Sequence, residues 1–261
     1  MLKKITLAAA IAVSASFATW DYFPVLDSHK GQAKLEFGSD IQDPFTEFVV
    51  TGGVRFSPAQ NFEFGLELPY VIFCLDNNNS FESWNGVRDL KTMFRYQFLP
   101  FMNAFLDITI PTANVYLYYP DYAFAFYFGA QFSKNFGLLN LGSELGLYVE
   151  TRGEDKTMPP QHLNLDVEAD LAISQVFVPY AGFSLSMLIG KYRHEGRHIG
   201  DSYTGEFGIA PFAGFKVAFN DYVSLDVHGK ILLGEEYLGV TTLNHSDEAL
   251  ISAGSAVYVN F

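Results

Sequence analysis

The chain has a single cysteine, Cys74, in 261 residues. One thiol cannot form an intrachain bridge, so no disulfide framework is available, and the sequence reads Cys74 as a loop residue without a role. No segment past the N-terminus has the roughly eighteen uncharged apolar residues that a spanning helix needs, which argues against a helical membrane protein. Cations are scarce: 16 Lys and Arg stand against 29 Asp and Glu, for a net charge of −13. Nucleic-acid binding wants a basic stripe, and this balance excludes it as a partner. No glycine-rich phosphate loop is present. Gly52, Gly53 and Gly65 instead sit inside strand-like runs, where glycine eases curvature or makes room for a neighbour. His194 and His198 have a spacing that presents two ligands on a helix, but Gly196 and Gly200 argue against one. That stretch reads as a polar surface loop. No metal and no cofactor is expected.

What the chain has in excess is aromatic residues, 16% of the total, with 26 Phe and 15 Tyr. A soluble core of this size rarely needs so many. A barrel in lipid does, because it turns an apolar band outward and carries aromatic girdles at both interfaces. The N-terminus reads as a secretory leader. Lys3 and Lys4 form its positive region, Ile5 to Val13 its apolar region, and Ser16-Phe17-Ala18 its cleavage site. The division is then a signal peptide over 1–18 and one barrel domain over 19–261. Losing the leader makes the net charge about −15.

The dominant pattern is strict alternation. From Leu163 to Ile173 every odd position is apolar, while Asn164, Asp166, Glu168 and Asp170 fall on the other face. Period two is a strand with one dry and one wet side. Similar runs predict strands near 31–39, 48–57, 62–70, 89–98, 103–111, 122–133, 139–150, 163–173, 180–190, 204–219, 222–233 and 249–261. Connections alternate between short turns, as at 58–61 and 220–221, and longer loops at 71–86, 112–121, 151–162, 191–203 and 234–248. The expected fold is all-β: a closed antiparallel up-and-down transmembrane β-barrel of about 12 strands, with both termini on the short-turn, periplasmic side. Two aromatic belts emerge, one by the short turns (Phe62, Phe98, Phe101, Phe136, Phe219, Tyr222) and one by the long loops (Tyr70, Tyr116, Tyr118, Tyr119, Tyr122, Tyr148, Tyr192, Tyr203).

Phe261, with Val259 and Val257 on its face, resembles the C-terminal signature of bacterial outer-membrane barrels. That resemblance implies recognition by the barrel-assembly machinery. The segment 61–70 (Asn-Phe-Glu-Phe-Gly-Leu-Glu-Leu-Pro-Tyr) resembles the barrels of the "MetA-pathway of phenol degradation" family, as do Gly86-Val87-Arg88-Asp89-Leu90, Ile110-Pro111-Thr112 and 214–225. Arg88 stands where that family usually has Gly. The resemblance implies an outer-membrane barrel and passage of small compounds, aromatic or apolar ones among them.

Parity lists the residues expected to line the lumen. The acidic ones are Glu36, Glu63, Glu67, Asp89, Asp107, Glu144, Asp166, Glu168, Asp170, Glu206 and Asp226, and the basic ones are Lys91, Arg95, Lys216 and Lys230. With Lys34, Arg55 and Glu150 on the same faces, the wall is acidic and favours cations. The same charges can instead pair across the interior and close it. Asp166, Glu168 and Asp170 form a ladder with steps of about 6.6–7 Å, either a cation track, a calcium site or a row of partners for Lys and Arg, the last being favoured. Ser224, Asp226 and His228 share a parity, but i and i+4 on a strand stand about 13 Å apart, too far for a nucleophile and its base.

The expected function is therefore passage of small solutes, cations or small apolar and aromatic compounds, across a cell outer membrane by a monomer embedded in lipid. The alternative is a closed structural or adhesive barrel with functional extracellular loops. A surface lipase or protease ranks below both, so no enzyme is expected.

Overall fold

The computed structural model describes residues 25–42, 45–76, 83–113, 123–154, 156–198, 204–234 and 249–261. The expected leader and Tyr116, Tyr118, Tyr119, Tyr122 and Tyr203 of the outer belt lie outside them. Among the described residues no helix is long and apolar enough to cross a membrane.

Twelve antiparallel strands form one closed sheet. They are β1 (Gly31–Gln42), β2 (Phe45–Ala59), β3 (Phe62–Asp76), β4 (Leu90–Leu99), β5 (Met102–Ile110) and β6 (Ala125–Phe136). There follow β7 (Leu139–Glu150), β8 (Gln161–Leu171), β9 (Phe177–Ile189), β10 (Phe207–Ala218), β11 (Val223–Gly234) and β12 (Leu250–Asn260). Each strand pairs with its sequence neighbours. β12 returns to β1 in a register running from Gln32↔Asn260 to Ile41↔Ile251, so the twelve-stranded sheet closes on itself. Phe261 holds this seam: its amide donates to the Gly31 carbonyl (2.9 Å) and its carbonyl accepts the Gly31 amide (2.8 Å).

The alternation read from sequence decides which face is which. Leu35, Phe37, Leu68, Phe128, Leu145, Ile209 and Val257 are exposed, while their neighbours in sequence turn inward. An exposed apolar band of this kind suits hydrocarbon, not water. Phe98, Phe101, Phe136, Phe219 and Tyr222 are exposed at the short-turn end. Phe261, Val259 and Val257 share the outward face, at 60%, 42% and 39% exposure. Short turns carry left-handed positions that tight hairpins need, at Asn61 (φ 64°) and Gly137 (φ 89°).

Several expectations are corrected. Cys74 is not in a loop: β3 continues to Asp76, and a short strand Ser83–Val87 pairs with its outer part, so the long loop expected at 71–86 shrinks to the stretch between them. The cause is a bulge at Ile72. Phe48 pairs with Phe73 while Val49 pairs with Val71, and the extra residue reverses the parity of everything after it. Cys74 therefore turns inward and packs with Val49, Val71 and Leu250 in an apolar cluster near the long-loop end. Tyr148, expected in the outer belt, shares the inward parity of Glu144 and Glu150. Its hydroxyl donates to Glu150 (3.2 Å) and its ring meets His162 edge-on. The 191–203 loop contains short strands, Arg193–His194 and Arg197–His198, which join Thr157–Met158 in a three-stranded ribbon.

Candidate functional site

The inner wall is built on glycines. Lys34, Gly53 and Glu67 share one register row across β1, β2 and β3. Lys34 Nζ reaches over Gly53 to Glu67 at 2.5 Å and also meets Glu36 at 3.2 Å. Tyr180, Gly214, His228 and Gly254 form a second row, across β9 to β12. Tyr180 crosses Gly214 to donate to both Asp226 oxygens (3.0 and 3.1 Å). The imidazole of His228 crosses Gly254: Nδ1 lies 2.8 Å from Asp226, and Nε2 lies 3.5 Å from Glu36 of β1. A methyl group at Gly254 would stand 2.5 Å from Nε2, and one at Gly214 would overlap the Tyr180 hydroxyl. These glycines let a side chain bond one strand beyond its neighbour. A continuous polar chain results, from Tyr180 through Asp226, His228, Glu36 and Lys34 to Glu67.

The wall then divides in two. From β1 to β5 carboxylates meet cations. Glu63 faces Arg55 at 3.5 Å and accepts the Leu26 amide at 2.8 Å. Asp107 binds Lys91 at 2.8 Å and Arg95 directly, with the Arg95 guanidinium 5.1 Å from the centre of the Phe105 ring. Met93, Arg95, Phe105 and Asp107 are all buried, so this stretch of the wall is closely packed. Glu47 near the long loops is buried against Arg88.

From β6 to β11 neutral donors join the cations: Asp226 meets His228 and lies opposite Lys216 in the register, while Glu144 and Asp170 accept from neutral groups. Glu144 accepts from the Tyr127 hydroxyl (2.5 Å) and from Gln131. Asp170 accepts from Asn140 Nδ2 (2.9 Å). Lys230 Nζ donates to the Ser184 hydroxyl (3.2 Å), beside Asp166 in the register, and Lys216 stands 4.7 Å over the Tyr258 ring. Among the described residues, Asp166 and Asp170 make no ion pair within 4.0 Å, but Lys230 stands beside Asp166 and Lys216 acts on Asp170, so the ladder faces lysines without direct contact at these two positions. This side holds a cavity of about 330 Å³, lined by five carboxylates (Glu36, Glu144, Asp166, Glu168, Asp226) together with His228, Lys230 and the rings of Tyr180, Phe212 and Tyr258.

The sequence-derived candidates therefore distribute unevenly. Glu36, Glu144, Asp166, Glu168, Asp226 and Lys230 meet around the cavity, with Asp170 and Lys216 buried nearby. Glu63, Glu67, Lys91, Arg95 and Asp107 belong to the ion-paired side. Asp89 lies between strand segments at the long-loop end, where it accepts the Thr112 and Ala113 amides (2.9 Å each). Glu206 directly precedes β10, and its carbonyl accepts the Leu188 amide (2.9 Å). Glu47, Tyr127, Gln131, Tyr180 and Phe212 were missed. All but Phe212 are polar or phenolic residues whose inward parity was there to read; Phe212 gives no polar signal at all.

A His–Asp hydrogen bond is the sign expected of a hydrolase, and His228–Asp226 supplies one. A serine nucleophile would have to stand at Nε2, and Glu36 occupies that side. His194 and His198 fall on opposite faces of the ribbon, since Arg193 pairs with His198 and His194 with Arg197. Among the described residues no group of three or more His, Cys, Asp or Glu could hold a metal ion.

No family model and no curated protein matches the chain. Solved structures do. An outer-membrane channel from Pseudomonas putida F1 superposes with a TM-score of 0.70 at 11% identity, over 94% of this chain and 100% of that one. The translocator domain of the autotransporter NalP from Neisseria meningitidis gives 0.56 at 11% identity, over 99% and 98%. The NanC porin gives 0.53 at 10% identity, over 87% and 98%. The fold is that of outer-membrane β-barrels. At these identities the likeness extends to the fold alone.

Proposed function

We propose that the protein is an outer-membrane channel, exported by its N-terminal leader, that passes small solutes as a monomer, with cations favoured over anions. The observation that carries this reading is the cavity inside the barrel, with five carboxylates against one lysine and one histidine. Low-dielectric walls focus such a field, so cations concentrate in the cavity and anions are repelled. Its Tyr and Phe rings also offer surface to small aromatic compounds, which agrees with the sequence likeness to the phenol-degradation barrels. The channel and porin among the similar structures support the same class.

The test is single-channel conductance of refolded protein in a planar bilayer under a potassium chloride gradient. The expected result is steady conductance with a cation-favouring reversal potential. Absence of conductance from demonstrably folded protein would remove the open-channel reading. It would favour a closed structural barrel, to which the packed, ion-paired side from β1 to β5 is suited.

A further inference from the structure

A second charged surface lies outside the barrel, at the long-loop end. Of the 16 Lys and Arg in the chain, five fall within residues 151–156 and 191–198: Arg152, Lys156, Lys191, Arg193 and Arg197. The stretches 43–44, 77–82, 114–122 and 235–248 of the other connections contain no Lys or Arg and carry only Asp and Glu as charged residues, and Arg88 in the β3–β4 connection is paired with Glu47. The connections β7–β8 and β9–β10 thus hold five cations, alongside the acids Glu154, Asp155, Glu195, Asp201 and Glu206.

The three-stranded ribbon displays it. In an antiparallel pair, residues directly opposite share a face. Arg193 with His198 therefore makes one face of the ribbon, and His194 with Arg197 the other. All four are exposed. At the turn of the ribbon, Arg152 Nη2 comes within 3.5 Å of where a side chain on Gly196 would begin. Among the described residues the one ion pair here is Lys156–Glu195, at 2.6 Å. Arg152, Lys191, Arg193 and Arg197 have no carboxylate within 4.0 Å among those residues. In a chain of net charge −13 this gathering leaves guanidinium forks turned outward.

The base of the ribbon sits where the lipid-facing band ends. Met187 and Phe207 are register partners at the long-loop ends of β9 and β10, exposed at 38% and 65%. With the apolar band in hydrocarbon, headgroups lie just beyond these two residues, at the level of the ribbon. Guanidinium groups bind phosphate oxygens in two-point contacts, and an anionic membrane surface attracts Lys and Arg held near it. We infer that the ribbon is a docking surface for phosphorylated lipid headgroups of the leaflet on the long-loop side.

The test measures lipid retention by native mass spectrometry on the folded barrel in a zwitterionic detergent. The lipids are phosphatidic acid and phosphatidylcholine, with inorganic phosphate as competitor. Phosphatidic acid is expected to be retained and phosphatidylcholine not, with retention falling as salt rises. The triple variant Arg152→Ser, Arg193→Ser, Arg197→Ser should bind phosphatidic acid about 100-fold more weakly, at about fivefold for each cation lost from an anionic surface. Arg193→Lys with Arg197→Lys should retain most of the binding, and Arg197→Gln alone should lower it about fivefold. Equal retention by the triple variant, or equal retention of the two lipids, would overturn the inference. Displacement of the lipid by inorganic phosphate would also overturn it, by showing a small-anion site and not a membrane surface.

Discussion

The two sides of the interior wall use the same residue types for different ends. From β1 to β5, Lys34, Arg55, Lys91 and Arg95 stand among Glu36, Glu63, Glu67 and Asp107, and ion pairs join them. From β6 to β11, Glu144, Asp166 and Asp170 stand among Tyr127, Gln131, Asn140 and Ser184, with Lys216 and Lys230 as the cations. A carboxylate bonded to a cation is neutralised locally and holds two strands together. One bonded to a phenol or an amide has no opposite charge in direct contact. The first side behaves as a filled wall, the second as a lining. The cavity lies on the second side, although Glu36, at its border, has its own lysine.

The sharpest way to break this comparison is to remove one member of a buried pair. Arg95→Leu leaves Asp107 buried with Lys91 alone and should cost about 3 kcal/mol, read as a lower urea midpoint for the barrel in detergent. An unchanged midpoint would mean that water already solvates that side. Next in size is Gly254→Val, whose side chain displaces the His228 imidazole and breaks the chain from Asp226 to Glu36. About 1–3 kcal/mol of destabilisation is expected, with a changed reversal potential if the protein conducts. A variant with wild-type stability and a wild-type channel would show that the saddle is not needed.

The lining should respond in the opposite manner. Asp166→Asn, Glu168→Gln and Asp170→Asn together should lower cation preference while changing stability by under about 1 kcal/mol, since the side chains keep their shape. Unchanged selectivity in a folded, conducting triple variant would sink the assignment of this side as the selective one. The smallest effect is expected at the surface. Lys156→Ala removes a pair whose side chains are 59% and 57% exposed, and should shift stability by no more than about 0.5 kcal/mol. A larger loss in a melting experiment would make the ribbon a structural element of the barrel.

Much of the architecture was legible because a strand exposes its environment in alternate residues. The run from Leu163 to Ile173 announces one wet and one dry face without any partner, and twelve such runs with alternating turn lengths define a barrel. Parity also placed Glu36, Glu144, Asp166, Glu168, Asp226 and Lys230 on one inner surface. The loop reading of Cys74 failed because β3 runs on to Asp76, and a single bulge residue at Ile72, which leaves no mark in the composition, turns its side chain inward. Parity was silent on pairing, because which side chain meets which depends on register and on the glycine lying between them. Nothing in the sequence marks Gly214 and Gly254 as the positions that Tyr180 and His228 lie across.

The sequence alone determined the barrel class, a strand count of about twelve and the alternation of wet and dry faces, since these follow from local periodicity and composition. Only the closed tertiary structure decided which carboxylates are matched by cations and which are left to line a cavity. That outcome depends on contacts between strands distant in sequence, and on glycines that let a side chain reach past its nearest neighbour.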